Sequence, residues 1–154
     1  MNKIGSKTLQ NKFNYSAASR QYFILVGDRR TWNVSIDKSI WGFSERTKGL
    51  RDHINKGDYA AFYVTRPTRK IIGFGKFDKK FLDETCIWPM EKLYQKSFWK
   101  YRISFKIIYI VRNWAEGLTL PEDVVVNSGR KKINEKVFMN LINDAELKWH
   151  TKLR

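Results

Sequence analysis

Short apolar runs separated by turn-forming residues dominate the pattern along the chain. Tyr22-Phe23-Ile24-Leu25-Val26 is a continuous apolar run that stops at Gly27-Asp28, and this pattern is typical of a strand buried on both faces. The same criteria predict further strands over residues 40–43, 59–65, 70–77 and 102–111. Residues 66–69 are predicted to form a hairpin connection, because Pro67 cannot continue a central strand.

The pattern over residues 102–111 predicts an alternating strand. The apolar set comprises Ile103, Phe105, Ile107, Tyr109 and Val111. Arg102, Ser104 and Lys106 fall on the opposite face. Because successive side chains of a strand point to opposite faces, this pattern predicts a half-buried strand.

Helix signals are fewer than strand signals. Residues 133–147 carry an apolar stripe at helical spacing, and Asn134 is placed to cap its start. Residues 50–54 predict a helical turn, whereas residues 31–38 leave open whether they form one. Residues 81–99 predict a long irregular loop that contains Trp88-Pro89.

Gly73 and Gly75 lie on the same face of the strand predicted over residues 70–77. Two neighbouring positions without side chains let another backbone or a flat ligand come close. Tight packing beneath a helix is the favoured interpretation of this pair.

The order of elements predicts an α+β fold. Several short strands with few helices between them do not form alternating β-α-β units, so a small mixed or antiparallel barrel with packed helices fits best. A length of 154 residues is that of one domain. We assign residues 21–154 to this domain and residues 1–20 to a basic arm or short helix.

Charge narrows the class of partner. The chain has 30 Lys and Arg against 15 Asp and Glu, a formal net charge of +15, which favours a polyanion such as nucleic acid. Surface solubility alone is the alternative explanation. Basic residues crowd around the predicted hairpin at residues 66–80 and form a run at residues 130–132, in a predicted loop. A membrane partner is not expected, because no long basic helix with an exposed apolar face stands out.

The sequence offers little for catalysis or metal binding. Cys86 is the single cysteine, and His53 and His150 are the two histidines, so we expect no internal disulfide and no structural zinc site. The sequence has no nucleophile elbow, P-loop or zinc-protease motif. We therefore expect a protein that is not an enzyme and needs no cofactor. Without a long apolar run or a signal sequence, it is expected to be soluble and cytoplasmic. As an isolated domain it is expected to be a monomer.

Six tryptophans are unusually many for a chain of this size. Core packing is the favoured role of any one of them taken alone. Three have contexts that also suggest a binding role. Trp41 sits beside Gly42 at the end of a short strand, Trp88 precedes Pro89 in the predicted loop, and Trp99 ends that loop. Aromatic side chains near basic residues are what a base-stacking site needs.

Several motifs follow one another along the chain. They are Tyr22-Phe23-Ile24-Leu25-Val26, Ile40-Trp41-Gly42-Phe43-Ser44, Gly57-Asp58-Tyr59-Ala60-Ala61-Phe62-Tyr63-Val64 and Ile71-Ile72-Gly73-Phe74-Gly75. Together they resemble the YTH and EVE domains of the PUA-like superfamily, over about residues 22–147. The stretch from Trp88 through Trp99-Lys100-Tyr101-Arg102, with Asn127-Ser128-Gly129-Arg130 before the final helix, is more similar to YTH domains.

The resemblance implies a PUA-like β-barrel with helices packed around it and a C-terminal helix. Such domains bind nucleic acid and take one modified base, typically N6-methyladenine, into an aromatic cage. Carried over by position, Trp41 and Trp99 become two walls of the cage. Trp88 becomes the loop wall, with Tyr94 or Phe98 as alternatives, because the spacing from Trp88 to Trp99 is longer here than in eukaryotic YTH domains.

Polar and basic residues complete the predicted site. Asp28 falls where the family places groups that read the base edge, and Thr31 and Asn33 are further base-binding candidates. Phosphate contacts are assigned to Arg69, Lys70, Arg130, Lys131 and Lys132. Similar domains also begin McrBC-type modification-dependent restriction proteins, which would imply a fused or associated AAA+ GTPase or nuclease.

Three functions stay open at this stage. The first is a reader that flips a modified base of DNA or RNA into a tryptophan cage. The second is a general RNA-binding PUA-like module without selectivity for modified bases, and the third is an enzyme that acts on a nucleobase. A methyl-lysine reader would also use an aromatic cage, but the net charge of +15 disfavours a basic peptide.

Overall fold

One mixed sheet of six strands organises the protein. The computed structural model describes residues 20–127 and 129–154, so residues 1–19 of the predicted arm lie outside the described residues. The strands are β1 (Tyr22–Gly27), β2 (Ile40–Phe43), β3 (Tyr59–Val64), β4 (Lys70–Leu82), β5 (Tyr101–Ile110) and β6 (Gly129–Ile133). Their order across the sheet is β2-β5-β4-β3-β1-β6. Only the pair of β1 and β3 is parallel, and the other neighbours are antiparallel.

Four helices accompany the sheet in the described part of the chain. They are α1 (Arg29–Lys38), α2 (Lys48–Asp52), α3 (Pro89–Tyr94) and α4 (Glu135–Trp149), with a short 3-10 turn at Trp114–Glu116. The predicted cap of the last helix is confirmed, because the Asn134 side chain accepts a hydrogen bond from the amide of Val137. The segment left open at 31–38 belongs to α1, whose N-terminal cap is Asp28.

The prediction of an irregular loop over residues 81–99 is wrong in two places. Strand β4 continues to Leu82, and α3 forms at Pro89–Tyr94. Proline is favourable at the start of a helix, where its missing N–H would have no partner in the helix. Gln95 ends α3 in the left-handed conformation, with φ of 52°. Trp88 therefore immediately precedes a helix.

Each face of the sheet has its own core. Phe23 and Leu25 of β1 belong to one core, together with Trp32 of α1. Tyr22, Ile24 and Val26 belong to the other, against Phe138, Leu141, Ile142 and Ala145 of α4. Strand β1 is thus buried on both faces, as its continuous apolar run predicts. The curled sheet and the C-terminal helix confirm the predicted α+β class.

Strand β5 departs from its predicted alternation at two positions. Arg102 is fully buried, whereas Ile107 is 37% exposed. The register to β4 shifts where Phe74 pairs with Tyr109 but Gly75 pairs with Ile107. This bulge, with Ile108 as the extra residue, interrupts the regular alternation next to Ile107. The burial of Arg102 has a different cause, an ion pair described below.

The glycine pair of β4 serves packing. A Cβ atom at Gly73 would lie 2.2 Å from the carbonyl oxygen of Tyr109, and one at Gly75 would lie 2.6 Å from the ring of Phe62. The favoured interpretation of tight packing is confirmed. The prediction that a helix packs over the pair is wrong, because these contacts come from the neighbouring strand β5 and from a side chain of β3.

We predict that Gly73→Ala lowers the free energy of unfolding by about 2–3 kcal/mol, because the added methyl meets backbone that cannot move aside. Gly49→Ala is the matched control. Gly49 lies in α2 with nothing within 4 Å of an added Cβ, so the change should leave stability unaltered or raise it by up to about 1 kcal/mol. Urea unfolding of both variants tests this, and equal stability of the two would contradict it.

Candidate binding pocket

A cavity of about 400 Å³ opens where the two edge strands of the sheet approach each other. Strand β2 supplies one side and β6 supplies the other, with the end of β1 between them. The lining residues are Val26, Gly27, Asp28, Thr31, Trp41, Gly42, Phe43, Ser44, Arg46, Thr47, Leu50, Trp88, Trp99, Gly129 and Arg130. Its volume is within the range of small-molecule sites, roughly 300–1,000 Å³.

Trp41 of β2 joins the core to the pocket. Its ring packs against the fully buried Trp32 with a centroid distance of 4.5 Å. The Trp32 indole is fixed in turn, because its Nε1 donates to the carbonyl of Tyr63 at 2.8 Å. A Cβ atom at Gly27 would lie 2.8 Å from Trp41 Cη2. The bare glycine at the end of β1 therefore makes room for this indole.

Trp88 and Trp99 meet edge to face on the other side of Gly42. Their ring centroids are 5.8 Å apart and their planes are inclined by 83°. A Cβ atom at Gly42 would lie 2.6 Å from Trp99 Cβ and 2.7 Å from Trp88 Cη2. Trp88 Nε1 also donates to Ser35 Oγ of α1 at 3.0 Å. The structure thus brings all three predicted tryptophans to one pocket.

A buried carboxylate holds the segments that carry Trp88 and Trp99. Glu91 Oε1 accepts from the amide of Ile87, and Oε2 accepts from the amide of Trp99, both at 3.0 Å. Arg102 lies 3.5 Å from the same carboxylate, and both side chains are 0% exposed. We call this arrangement the Glu91–Arg102 pair. It explains why Arg102 is buried although the alternation of β5 places it on the polar face.

Arg102 extends the same support to both indole-bearing segments. Its Nε donates to the carbonyl of Trp99 at 3.0 Å, and its guanidinium lies 5.0 Å from the ring centroid of Trp88. Both the amide and the carbonyl of Trp99 are therefore bound to charged groups. Since hydrogen bonds to charged groups are the stronger ones, the backbone that presents Trp99 is held firmly.

Asp28 and Thr31 form a polar wall beside the indoles. Asp28 Oδ1 accepts from the amide of Thr31 at 2.8 Å and so caps α1. Asn33 is exposed and is not among the lining residues. Residues two positions apart on a helix differ by about 200° in direction, so Thr31 and Asn33 cannot both face the pocket.

The segment after β2 forms a lip that sequence reasoning missed. Ser44 and Thr47 hydrogen-bond to each other through their hydroxyls at 3.0 Å, and each hydroxyl also accepts from the other residue's amide. Arg46 lies between them and lines the cavity. The signal was present, since serine and threonine three positions apart favour a closed turn. On the same segment, hydrogen bonds from Lys48 and then Tyr101 lower the pKa of Glu45 below its ordinary value.

The basic run at residues 130–132 lies in strand β6, so its prediction as a loop is wrong. Arg130 pairs with Leu25, Lys131 with Ile24 and Lys132 with Phe23. Opposite residues of an antiparallel pair share a face, so Lys131 lies on the face covered by α4. Arg130 and Lys132 lie on the other face, and of the three only Arg130 lines the pocket.

Arg69 and Lys70 lie beside the pocket end of the sheet without lining the cavity. Val64 pairs with both Gly27 and Lys70, which places Lys70 two strand spacings, about 10 Å, from the end of β1. Lys70 Nζ donates to Thr119 Oγ1 at 3.1 Å. Arg69 is exposed, with φ of 50°.

The two alternatives to Trp88 are not brought to the pocket. Tyr94 is 64% exposed on α3. Phe98 packs on Trp99 with a centroid distance of 5.6 Å and on Tyr94 at 6.1 Å. Neither is among the residues that line the cavity. Phe98 therefore packs on Trp99 without lining the cavity.

The described residues contain no group of three His, Cys, Asp or Glu side chains that could hold a metal ion. The titratable side chains that line the pocket are Asp28, Arg46 and Arg130. Burial lowers the pKa of the Arg130 guanidinium below its ordinary value. No described helix has both the length and the apolar character needed to cross a membrane.

No protein-family model matches the chain. UPF0310 protein SSO2595 of Saccharolobus solfataricus is 30% identical over 95 residues, which cover 58% of this chain and 62% of that protein. UPF0310 protein PYRAB08750 of Pyrococcus abyssi is 31% identical over 49 residues, or 32% of this chain and 34% of that protein. The matched part thus spans less than two thirds of either curated relative.

Solved structures show the class of fold. The YTH domain of Zygosaccharomyces rouxii MRB1 protein, in complex with N6-methyladenosine RNA, has a TM-score of 0.58 at 14% identity, covering 88% of this chain and 90% of that chain. The Pho92 YTH domain in complex with m6A has a TM-score of 0.53 at 14% identity, covering 80% and 84%. The chain therefore has the fold of these YTH domains, as its motifs predict.

We predict that Glu91→Gln lowers the free energy of unfolding by about 3 kcal/mol, because it leaves Arg102 buried without its counter-charge. Both carboxylate oxygens accept from backbone amides, so a glutamine NH₂ would face one of these donors in either orientation. The matched control is Glu84→Gln, whose side chain is 77% exposed and which should change stability by less than about 0.5 kcal/mol. Urea unfolding measures both, and wild-type stability of Glu91→Gln would refute the role of the pair.

Proposed function

We propose that the protein is a non-catalytic nucleic-acid-binding module that takes one modified base, N6-methyladenine of DNA or RNA, into the tryptophan pocket. The observation that carries this proposal is the convergence of Trp41, Trp88 and Trp99 on one cavity of about 400 Å³. A cavity of this size suits a single base that has left its stack. The net charge of +15 supports a nucleic-acid partner.

The pocket combines an aromatic wall with a polar wall. Trp41, Trp88 and Trp99 offer indole surface, while Asp28, Thr31 and Arg130 offer hydrogen-bonding groups. A nucleobase has matching properties, because its faces stack on aromatic rings and its edge carries donors and acceptors. The YTH structures solved with N6-methyladenosine RNA and with m6A have the same fold and support this assignment.

Selectivity for a methylated base would come from a modest free-energy difference. Stacking on an aromatic side chain contributes on the order of 1–3 kcal/mol for any base. Removing one methyl from water adds about 0.8 kcal/mol in favour of the methylated base. The unmethylated amino group has one more N–H, which would lose its hydrogen bond to water without gaining an acceptor from an indole. A pocket that discriminates one carbon commonly reaches about 10- to 200-fold.

Basic residues around the cavity would hold the phosphates and offset the cost of extruding the base, a few kcal/mol in a duplex. Arg46 and Arg130 border the cavity itself. Arg69 and Lys70 lie near the end of β1, and Lys131 and Lys132 continue along β6. We propose that these residues contact flanking phosphates, whose contribution falls with salt.

The alternatives are separated by binding and turnover. A general RNA-binding module of this fold would bind methylated and unmethylated probes equally. An enzyme acting on a nucleobase would convert the probe. The described pocket lining includes one carboxylate, Asp28, and no histidine or cysteine, which supports binding without chemistry.

The test is a titration of matched single- and double-stranded DNA and RNA, with and without one N6-methyladenine, by fluorescence anisotropy at two salt concentrations. We expect methylated probes of the preferred nucleic acid to bind at least about 10-fold more tightly. Higher salt should weaken both probes while leaving their ratio unchanged, because the methyl group carries no charge. Equal affinity of the methylated and unmethylated probes, at both salt concentrations, would contradict selective reading. Chemical conversion of the base would contradict a non-catalytic role.

Trp99→Ala is the sharpest pocket variant, because this indole is half-buried and Trp41 is only 4% exposed within the core. Loss of one stacking wall should weaken methylated probe about 10- to 100-fold. Trp149→Ala is the matched control, since this half-buried indole lies at the end of α4 and does not line the pocket. Equal losses in the two variants would show that the effect arises from stability.

A further inference from the structure

One end of the sheet carries basic side chains that have no acidic partner. The C-terminal ends of β1, β3 and β5 and the start of β4 meet at this end, because β1 and β3 are parallel and β4 is antiparallel to both β3 and β5. The cations at these strand ends are Arg29, Arg30, Arg66, Arg69, Lys70 and Arg112. Among the described residues, none of these cations forms an ion pair. Uncompensated positive charge of this kind attracts an anionic partner.

An indole lies within this basic surface and is covered by one of its cations. The guanidinium carbon of Arg29 lies over the ring of Trp114, 4.9 Å from the ring centroid. Trp114 is half-buried, whereas Arg29 is exposed. Arginine packs on aromatic faces because its guanidinium is planar. One side of the guanidinium therefore contacts the indole, and the other side is left to solvent. We call this arrangement the Arg29–Trp114 pair.

The turn that carries Trp114 is fixed to the sheet. Ile71 at the start of β4 and Leu118 exchange two backbone hydrogen bonds, each of 2.8 Å. The chain also approaches β4 closely at Gly117, where a Cβ atom would lie 2.5 Å from the carbonyl oxygen of Ile71. The indole beneath Arg29 is thus held in place, and a ligand that packs on the pair would cost little conformational freedom of the protein.

The Arg29–Trp114 pair begins one residue beyond the lining of the tryptophan pocket. Asp28 lines the cavity and caps α1, and Arg29 is the next residue. The hairpin between β3 and β4 is joined to the same place, because the amide of Thr65 donates to the carbonyl of Gly27 at 2.9 Å. Consecutive Cα atoms are about 3.8 Å apart. A strand with one base in the cavity would therefore bring its neighbouring nucleotide to this surface.

We propose that the Arg29–Trp114 pair stacks the base next to the extruded one, and that the preferred ligand is therefore a nucleic acid that is single-stranded on that side. This inference rests on the proposed function, which supplies the extruded base. Unpaired bases are recognised by stacking on aromatic side chains and on guanidinium planes. In a duplex the neighbouring base stays paired and stacked, so it cannot pack on the guanidinium. Attraction of phosphates alone would not need an indole beneath the cation.

The experiment combines protein variants with probes that lack one base. The reference probe is a single-stranded oligonucleotide with one N6-methyladenine, of the sugar type preferred in the titration. Two further probes carry an abasic residue directly 5′ or directly 3′ of the methylated base. An abasic residue removes a base and keeps its phosphate, so it separates stacking from charge. Binding is measured by fluorescence anisotropy.

Three variants are compared with the wild-type protein. Arg29→Lys keeps the charge and loses the planar group, and Trp114→Leu removes the ring beneath it. Arg30→Lys is the matched control, because it makes the same exchange at the exposed neighbour on α1. Each protein is also titrated with the reference probe paired to its complementary strand.

One of the two abasic probes should bind the wild-type protein about 5- to 100-fold more weakly than the reference probe, as expected for one lost stacking contact. Arg29→Lys and Trp114→Leu should weaken the reference probe by at least about fivefold and should bind that abasic probe as the wild type does. Arg30→Lys should stay within about twofold of wild type for every probe. With the duplex probe, Arg29→Lys and the wild type should bind equally, because no unpaired neighbour is present.

Two outcomes overturn this inference alone while the preference for the methylated base persists. One is a wild-type affinity that neither abasic residue changes. The other is an Arg29→Lys variant that loses the same factor for the reference probe and for both abasic probes, which would assign Arg29 to charge attraction. Thermal unfolding shows whether Trp114→Leu is folded at the assay temperature, and Arg29→Lys decides the question if it is not. Failure of the wild-type protein to bind any probe would defeat the proposed function and this inference together.

Discussion

The pocket depends on a carboxylate and a guanidinium that are both removed from water. Taking two charges out of water is costly, and well-packed apolar residues often stabilise a protein as well or better. The contribution of the Glu91–Arg102 pair is to fix the position of the backbone segments that carry Trp88 and Trp99. Glu91 gathers the amides of Ile87 and Trp99, and Arg102 binds the carbonyl of Trp99. Without the pair, these backbone groups would be buried without partners, and the two indole-bearing segments would lose their common anchor.

The aromatic wall is continuous with the hydrophobic core. Trp32 fills the core and supports Trp41, which reaches the cavity. Gly27 and Gly42 leave the space in which the indoles approach the strands. A tryptophan of this protein can therefore belong to the core and also line the cavity. Trp41 and Trp88 do both, with only 4% and 2% of their surface exposed. A rigid wall is an advantage for stacking, because little conformational freedom is lost on binding.

Sequence patterns predicted the elements whose signals are local. Strand β1 was evident from its apolar run, and α4 from its stripe and its cap at Asn134. Strand β6 was not, because its core Arg130-Lys131-Lys132 has no apolar alternation and becomes a strand only by pairing with β1. The burial of Arg102 was equally hidden, since its counter-charge lies on a helix that the sequence did not indicate. Strand β6 and the burial of Arg102 both depend on pairing between distant parts of the chain, which no local pattern encodes.

The basic run of β6 is divided between the two faces of the sheet, with Lys131 on one face and Arg130 and Lys132 on the other. Lysines on exposed strands and hairpins attract any polyanion, and this attraction falls with salt because it releases counterions. Arg130 lies apart from these lysines, because it lines the cavity. Under the proposed function, the exposed charge would supply general attraction to a nucleic acid, and the pocket would supply the discrimination of one base.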